Sequence, residues 1–330
     1  MSTGNKIAIV TGAFGFAGAS LTENLIKNGY KVYAVCREGS AHNNRLLREP
    51  GEVLSSQVRT CCTEQSEVQP PIEKVSLLCK VYLDMQDYDK IHEYVDTEEL
   101  RSAERVLFFH LSWGGARDDF KAQYANVEGS LKAMDSAIAM QARFIGIGSQ
   151  AEYGICEDEI TEETPLKPFT AYGSCKAAAY HLLKSKARIG GIDFVWGRIF
   201  SLIGKYEPAG RMFPDLCNKL KNGEDVHLSS CEQYWDYMDV ADAAEAIRLL
   251  GEKGKDSESY NIANGDYHKL SYFVEKAAEV LGADKNLIHY GQKAEPFVSL
   301  KPSVSKLKAD TEFEISIIFE KTLRNTFIDI

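Results

Sequence analysis

The sequence predicts an α/β protein: a doubly wound parallel sheet with a smaller C-terminal lobe. Three observations lead there. Short apolar runs alternate with helix-length segments through the first two hundred residues, the pattern of successive βαβ units. The runs are continuously apolar, as strands covered on both faces are. A glycine-rich turn, Thr11 to Gly18 (TGAFGFAG), joins the first run to the first helix.

Lys6–Thr11 (KIAIVT) reads as the first buried strand, and Ala17–Lys27 as a helix that Asn28-Gly29 ends. Lys31–Cys36 is the second strand. Residues 38–75 are polar and poorly periodic, so a helix near His42–Arg48 followed by an irregular insertion is expected, longer than a simple connection needs. Strands follow at Leu77–Leu83, Arg105–Leu111, Arg143–Gly148 and Asp193–Phe200, with helices near Gln86–Val95, Phe120–Ala142 and Tyr172–Ala187 between them. The alternation weakens beyond about residue 200. The expected division is therefore 1–200 for the sheet domain and 201–330 for the lobe, with the chain crossing back near 236–264. Gly204–Gly210 and an Arg211–Lys221 helix fall in the lobe.

Composition narrows the function classes. The 330 residues are 44% hydrophobic and 26% charged, ordinary for a globular chain. With 48 acidic against 38 basic residues the net charge is −10, and no basic run appears, which argues against nucleic-acid binding. Eight cysteines without a CxxC element, and no secretory segment, suggest reduced thiols in the cytoplasm. No apolar run reaches membrane-spanning length, and the seven histidines show no metal-ligand spacing.

The glycine-rich turn has a mechanical reading. Gly12 allows the tight turn, Gly15 lets backbone approach a pyrophosphate, and Gly18 lets helix and strand pack closely. Phe14 and Phe16 lie between them. The helix N-terminus then offers its free N–H groups to an anion. This is a Rossmann-type dinucleotide site. The second strand ends Val35-Cys36-Arg37, with Ser40 and Asn43 close behind and no acid before Glu38. An arginine there accepts a 2′-phosphate, so the expected cofactor is NADP(H), with NAD as the alternative.

Three tyrosines precede a lysine by four residues: Tyr172/Lys176, Tyr180/Lys184 and Tyr272/Lys276. Position selects the first. Ser149 ends an apolar strand at the edge where open α/β sheets bind ligands, and Tyr172 begins the next helix, 23 residues on (172 − 149). The two hydroxyls would converge on one carbonyl. A lysine cation would lower the tyrosine's pKa of about 10. Tyr172 would then serve as general acid or base, and Ser149 would stabilise the developing oxyanion.

TGAFGFAG, Ser149 and Tyr172-Gly-Ser-Cys-Lys176 together resemble the extended short-chain dehydrogenase/reductase family, which includes nucleotide-sugar epimerases and dehydratases. The resemblance covers nearly the whole chain. It implies that Leu83-Asp84-Met85 contacts adenine and that His110-Leu111-Ser112 ends the strand beside the cofactor. Asn126 matches the family's helix asparagine, and Tyr237-Met-Asp-Val-Ala-Asp242 the segment that returns the chain to the substrate lobe. It also implies a nucleotide-sugar substrate and a homodimer through paired helices. Departures bear on the reaction. Gln150 and Ala151 stand where family dehydratases carry an acidic pair, and Ser201 where epimerases often carry asparagine. Trp235 replaces the arginine that grips the substrate diphosphate, leaving Arg211 and Lys205 as the nearest cations. Gln150, Ser201, Arg211 and Trp235 are thus the candidate substrate contacts. GSQAEYG and CEQYWDY are similar to the branch of CDP-abequose-type synthases. The expected activity is NADP(H)-dependent reduction of a 4-keto, nucleotide-linked deoxysugar. An epimerase recycling bound NAD is the alternative, and a non-catalytic NADP-binding sensor a remote one.

Overall fold

The computed structural model describes residues 5–43, 45–47, 58–60, 77–294 and 298–328. Eight strands form one all-parallel sheet: β1 Asn5–Thr11, β2 Tyr30–Cys36, β3 Val58–Thr60, β4 Leu78–Tyr82, β5 Ala103–His110, β6 Arg143–Ser149, β7 Phe194–Ile199 and β8 Glu258–Ile262. Their spatial order is β8-β7-β6-β5-β1-β2-β4-β3. The chain winds outward from β1 on one side, then returns to lay β5 on the other. The switch point therefore falls between β1 and β5, where such sheets open a crevice.

Nine helices are described: α1 Phe16–Lys27, α2 Thr97–Ser102, α3 Phe120–Ala139, α4 Ala171–Gly190, α5 Met212–Lys221, α6 Val240–Lys253, α7 Leu270–Leu281, α8 Ser305–Thr311 and α9 Phe319–Phe327. Side chains alternate across β1. Ala8 and Val10 join Leu21 and Leu25 of α1 and Ile247 and Leu250 of α6 in one core. Ile7 and Ile9 join Met134 of α3 and Leu183 of α4 in the other. The lobe has its own core, built from α5, α7 and α9 around Phe213, Phe273 and Leu323.

The sheet and the α1, α3 and α4 helices follow the sequence reading, with several differences. The segment Met85–Tyr94 is a 3₁₀ run rather than an α-helix, interrupted at Asp87 (φ −114°, ψ 15°). α3 stops at Ala139 because Gln141 turns left-handed (φ 51°). The helix expected at His42–Arg48 is reduced to a 3₁₀ turn at Arg45–Leu47, and most of the 38–75 insertion lies outside the described residues. β3, α2 and β8 were not anticipated. After Tyr237 the chain goes back to the sheet rather than to the lobe: α6 packs beside α1, and β8 pairs with β7 (Tyr260 opposite Gly197). It enters the lobe again at α7.

A buried ion pair ties β6 to β7. Arg198 Nε donates to Glu152 Oε2 at 2.8 Å, with side-chain exposures of 2% and 0%. Trp196 Nε1 donates to the same carboxylate at 3.1 and 3.2 Å, and so does the Ser149 backbone N–H at 2.8 Å. Arg198 also donates to the Tyr153 and Ser259 hydroxyls. Glycines make room for this network, since a Cβ on Gly148 would lie 2.2 Å from Glu152 Oε1 and 2.3 Å from Trp196 Nε1. Arg198→Met should strand the carboxylate and cost about 3–5 kcal/mol in urea unfolding. E152Q/R198M should recover most of that loss. Equal losses in the two variants would show that the pair itself is not the source.

Candidate active site

A cleft of about 920 Å³ opens at the C-terminal ends of β1, β5, β6 and β7, with the lobe as its far wall. Gly12, Gly15, Phe16 and Gly18 line one end, Ser149, Tyr172 and Lys176 the middle, and Glu207, Arg211, Gln233 and Trp235 the lobe side.

The glycine turn fits a dinucleotide. Gly12 takes φ 68°, and a Cβ there would meet the Ser112 backbone N at 3.0 Å. A Cβ on Gly18 would sit 2.0 Å from Gly12 O, so only glycine permits this closure of α1 onto β1. α1 begins at Gly15 with no side-chain cap, which leaves its first N–H groups to face the cleft. Below the turn, Thr11 Oγ1 and His110 Nδ1 are 2.8 Å apart, and His110 Nε2 lies 2.9 Å from Ser130 Oγ. Burial, with Lys176 nearby, holds His110 neutral by lowering its pKa to about 3. This histidine is a brace between strands and α3.

Ser149 ends β6 and caps the 3₁₀ turn Gln150–Glu152. Its hydroxyl accepts from Ala151 N, while Glu152 accepts from Ser149 N. The serine is therefore oriented from both sides. Tyr172 lies in the first turn of α4, which Thr170 caps. Burial raises its pKa. The Ser149 hydroxyl beside it and the charges of Arg117 and Arg211 pull the other way. Sequence reasoning assigned that pull to Lys176. Instead Lys176 Nζ donates to Ile147 O at 2.6 Å and lies 3.7 Å from the centre of the Trp113 ring. Desolvation lowers its pKa to about 7, opposed by Glu152. Arg117 stacks over Tyr172 at 5.1 Å, and its carbonyl accepts from Tyr172 N. The 113–117 segment is held in turn by buried Gln123 and Asn126, which bond Gly114 and Ala116.

Of the sequence candidates, Gly12, Gly15, Phe16, Gly18, Leu111, Ser149, Gln150, Tyr172, Lys176, Ser201, Arg211 and Trp235 line the cleft. Five others stand apart. Phe14 is buried in the core under Lys80, so its ring faces away from the cleft. The Ser112 and Tyr88 hydroxyls bond each other, and Met85 packs over Gly129. Arg37 and Asp84 are exposed at the ends of β2 and β4. Tyr180 packs on Trp196 and Phe194, and Tyr272 lies among His268 and Phe273, so neither enters the cleft. Trp113, Arg117, Glu207 and Gln233 were missed, because isolated residues in loops carry no periodic signal.

A Rossmann sheet, a glycine cradle and a Ser-Tyr-Lys group at the switch-point crevice define a nicotinamide-dinucleotide enzyme of the extended short-chain dehydrogenase/reductase type. The chain belongs to the NAD dependent epimerase/dehydratase family, whose model matches residues 8–263. It is 24% identical to dTDP-glucose 4,6-dehydratase of Haemophilus influenzae over 343 residues, covering 96% of each chain. It is 23% identical to CDP-abequose synthase of Salmonella muenchen over 266 residues, covering 79% of this chain and 75% of that one. The structure of RMD from Pseudomonas aeruginosa complexed with NADPH shares its fold, with TM-score 0.73, 18% identity, and 98% and 99% coverage.

Lys176 gives a signed pH test. Its folded pKa near 7 lies below the ordinary lysine value of about 10.4, so between those values the unfolded chain binds a proton the folded one lacks. Stability from this site therefore rises with pH across that window. Urea unfolding without added nucleotide should show wild type gaining on Lys176→Met between pH 7 and pH 9. Parallel curves would contradict the buried, uncharged lysine.

Proposed function

We propose that the protein reduces a 4-keto group on a nucleotide-linked deoxysugar with NADPH. The observation that carries this is the chemistry around Ser149. The Ser149–Tyr172 hydroxyl pair faces the cleft, and Gln150 rather than an acid follows the serine. The nearest acid, Glu152, is engaged by Arg198, Trp196 and the Ser149 amide. Among the described residues the one carboxylate lining the cleft is Glu207, on the lobe side. This site can exchange a proton at a carbonyl oxygen, but among the described residues no second base stands beside Ser149 to remove the C–H proton that eliminating water requires.

Bound NADPH would supply the hydride to the keto carbon. Tyr172 gives its proton to the resulting alkoxide, and Ser149 donates a hydrogen bond to the same oxygen as charge grows. Arg117 and Arg211 stabilise the phenolate left behind, the direction in which they already act on Tyr172. Lys176 holds the β6 end through Ile147 O, with its remaining N–H bonds free for the nicotinamide ribose. For the 2′-phosphate, Arg37 is supported by two neighbouring cations. Arg45 donates to Phe14 O, and Lys80 to Asn43 O, while Asn43 in turn donates to Arg37 O. Similarity to CDP-abequose synthase and to an NADPH-complexed fold relative supports the same reading.

Two further features bear on the cellular setting. Buried free thiols, such as Cys36, Cys175 and Cys217, support a reducing cytoplasm. Exposed Phe120 and Tyr124 on α3, with Leu182 and Ile189 on α4, support a homodimer through those helices.

The direct test uses NADPH deuterated at nicotinamide C4 with a dTDP- or CDP-4-keto-6-deoxyhexose. One deuterium should appear on the sugar at C4 for each NADPH oxidised. Exchange without net oxidation would point to an epimerase instead. Tyr172→Phe should lower kcat by about 10²–10⁴ with NADPH affinity retained. Unchanged turnover would refute its role. Arg37→Ala should weaken NADPH binding about tenfold or more and leave NADH binding nearly unchanged, a charge-assisted bond being worth about 1.5–3 kcal/mol.

A further inference from the structure

The lobe side of the cleft holds three polar groups that the reaction does not use. Glu207 Oε2, Gln233 Oε1 and Trp235 Nε1 are buried and, among the described residues, have no hydrogen-bond partner. All three side chains line the same cleft as Ser149 and Tyr172. Gln233 and Trp235 flank Tyr234 where Tyr234 and Trp235 pair with Lys269 and His268, and both side chains line the cleft. Tyr237 lines it too, its ring 6.4 Å from that of Trp235, and its pKa is raised by burial and then by the charge of Glu207, which brings Glu207 to the same wall. Glu207 itself sits in the Gly204–Gly210 loop. Its pKa is pushed to about 7 by desolvation, with Arg211 and a bond from the Gly204 backbone opposing.

Unpaired buried polar atoms are costly in a native structure, so a cluster of them in a cleft implies a ligand that pairs them. Here the inventory is specific. Two oxygens accept, and one indole N–H donates. A hydroxyl pairs the indole N–H and one of the oxygens, and a neutral amine pairs all three. A carboxylate cannot, because it has nothing to donate and would bring a second negative charge against Glu207. The basic side chains on the cleft are Arg117, Lys176, Arg211 and Lys293. Arg117 lies over Tyr172, Lys176 is buried against Trp113, and Arg211 lies 5.7 Å from the Phe16 ring.

We infer that Glu207, Gln233 and Trp235 form a specificity subsite that takes a hydroxyl or amino group of the substrate sugar and rejects sugars that carry a carboxylate. This deepens the proposed function and rests on it: the substrate is a neutral or amino sugar nucleotide rather than a uronate. Trp235, standing where relatives of this class use an arginine, is then a reader of the sugar and not a substitute phosphate grip.

The test is calorimetric, at pH 8 so that Glu207 is ionised, with NADPH present. UDP-, CDP- and dTDP-glucose are compared first. The glucose and glucuronate forms of the tightest-binding nucleotide are then compared, since they differ only at C6. Wild type should bind the glucose form about tenfold or more tightly, because the glucuronate sets a second negative charge against Glu207 and lacks the C6 donor. Glu207→Gln should bring the two within about threefold while NADPH binding stays unchanged. Should that variant lose NADPH binding, Glu207→Ala, which removes the same charge, is read the same way. Equal binding by wild type, or a ratio unmoved in the variant, would overturn the subsite alone. Failure of all three glucose nucleotides to bind would overturn the sugar-nucleotide reading as well.

Discussion

The cleft depends on one buried carboxylate. Glu152 receives Arg198, Trp196 and the Ser149 amide together, with none of its surface exposed. Removing any partner would leave charge or donor unpaired where water cannot reach. The network therefore allows β6 and β7 one relative position, and that position aims the Ser149 hydroxyl. It also has a chemical consequence. The acid lying nearest the serine in sequence is consumed by structure, which leaves a polar but uncharged Gln150 at the cleft.

A second constraint works from the opposite wall. Lys176 is buried beside the Trp113 ring and bonded to Ile147 O, so its main measurable work in this structure is to fix α4 against β6 and the 113–117 segment. Arg117 and Arg211 supply the charge that acts on Tyr172. One comes from the sheet side of the cleft and the other from the N-terminus of α5. Tyr172 thus feels both halves of the molecule, and a shift of the lobe against the sheet would change its acidity as well as the shape of the cleft.

Much of this was legible in the sequence, for physical reasons. Buried parallel strands must be continuously apolar, so KIAIVT and KVYAVC declare themselves. A Cβ on Gly18 would lie 2.0 Å from Gly12 O, so the turn at Gly12–Gly18 demands its glycines and they are visible as a pattern. Ser149, Tyr172 and Lys176 could be placed on one cleft from the sequence because strand end and helix start are themselves legible. What escaped was long-range or local in the wrong way. The Glu152–Arg198 pair joins residues 46 apart, with no periodicity to announce it. β8 is a five-residue strand placed by its pairing with β7, in the stretch 236–264 where a crossing of the chain but no strand was expected. The Met85–Tyr94 segment has helical composition, but Asp87 breaks it into 3₁₀ turns. Glu207 and Gln233 are loop residues whose meaning comes only from the cleft that closes around them.

A protein that carries out net reduction must release its spent cofactor and take up another, whereas an epimerase can keep one dinucleotide and return it to its starting state in each cycle. The most direct measurement is therefore to denature the purified protein and identify any nucleotide it releases. The account predicts substoichiometric nucleotide, chiefly NADP(H), and an emptied protein that rebinds NADPH in preference to NADH. Tightly held NAD⁺ at one per chain would contradict it.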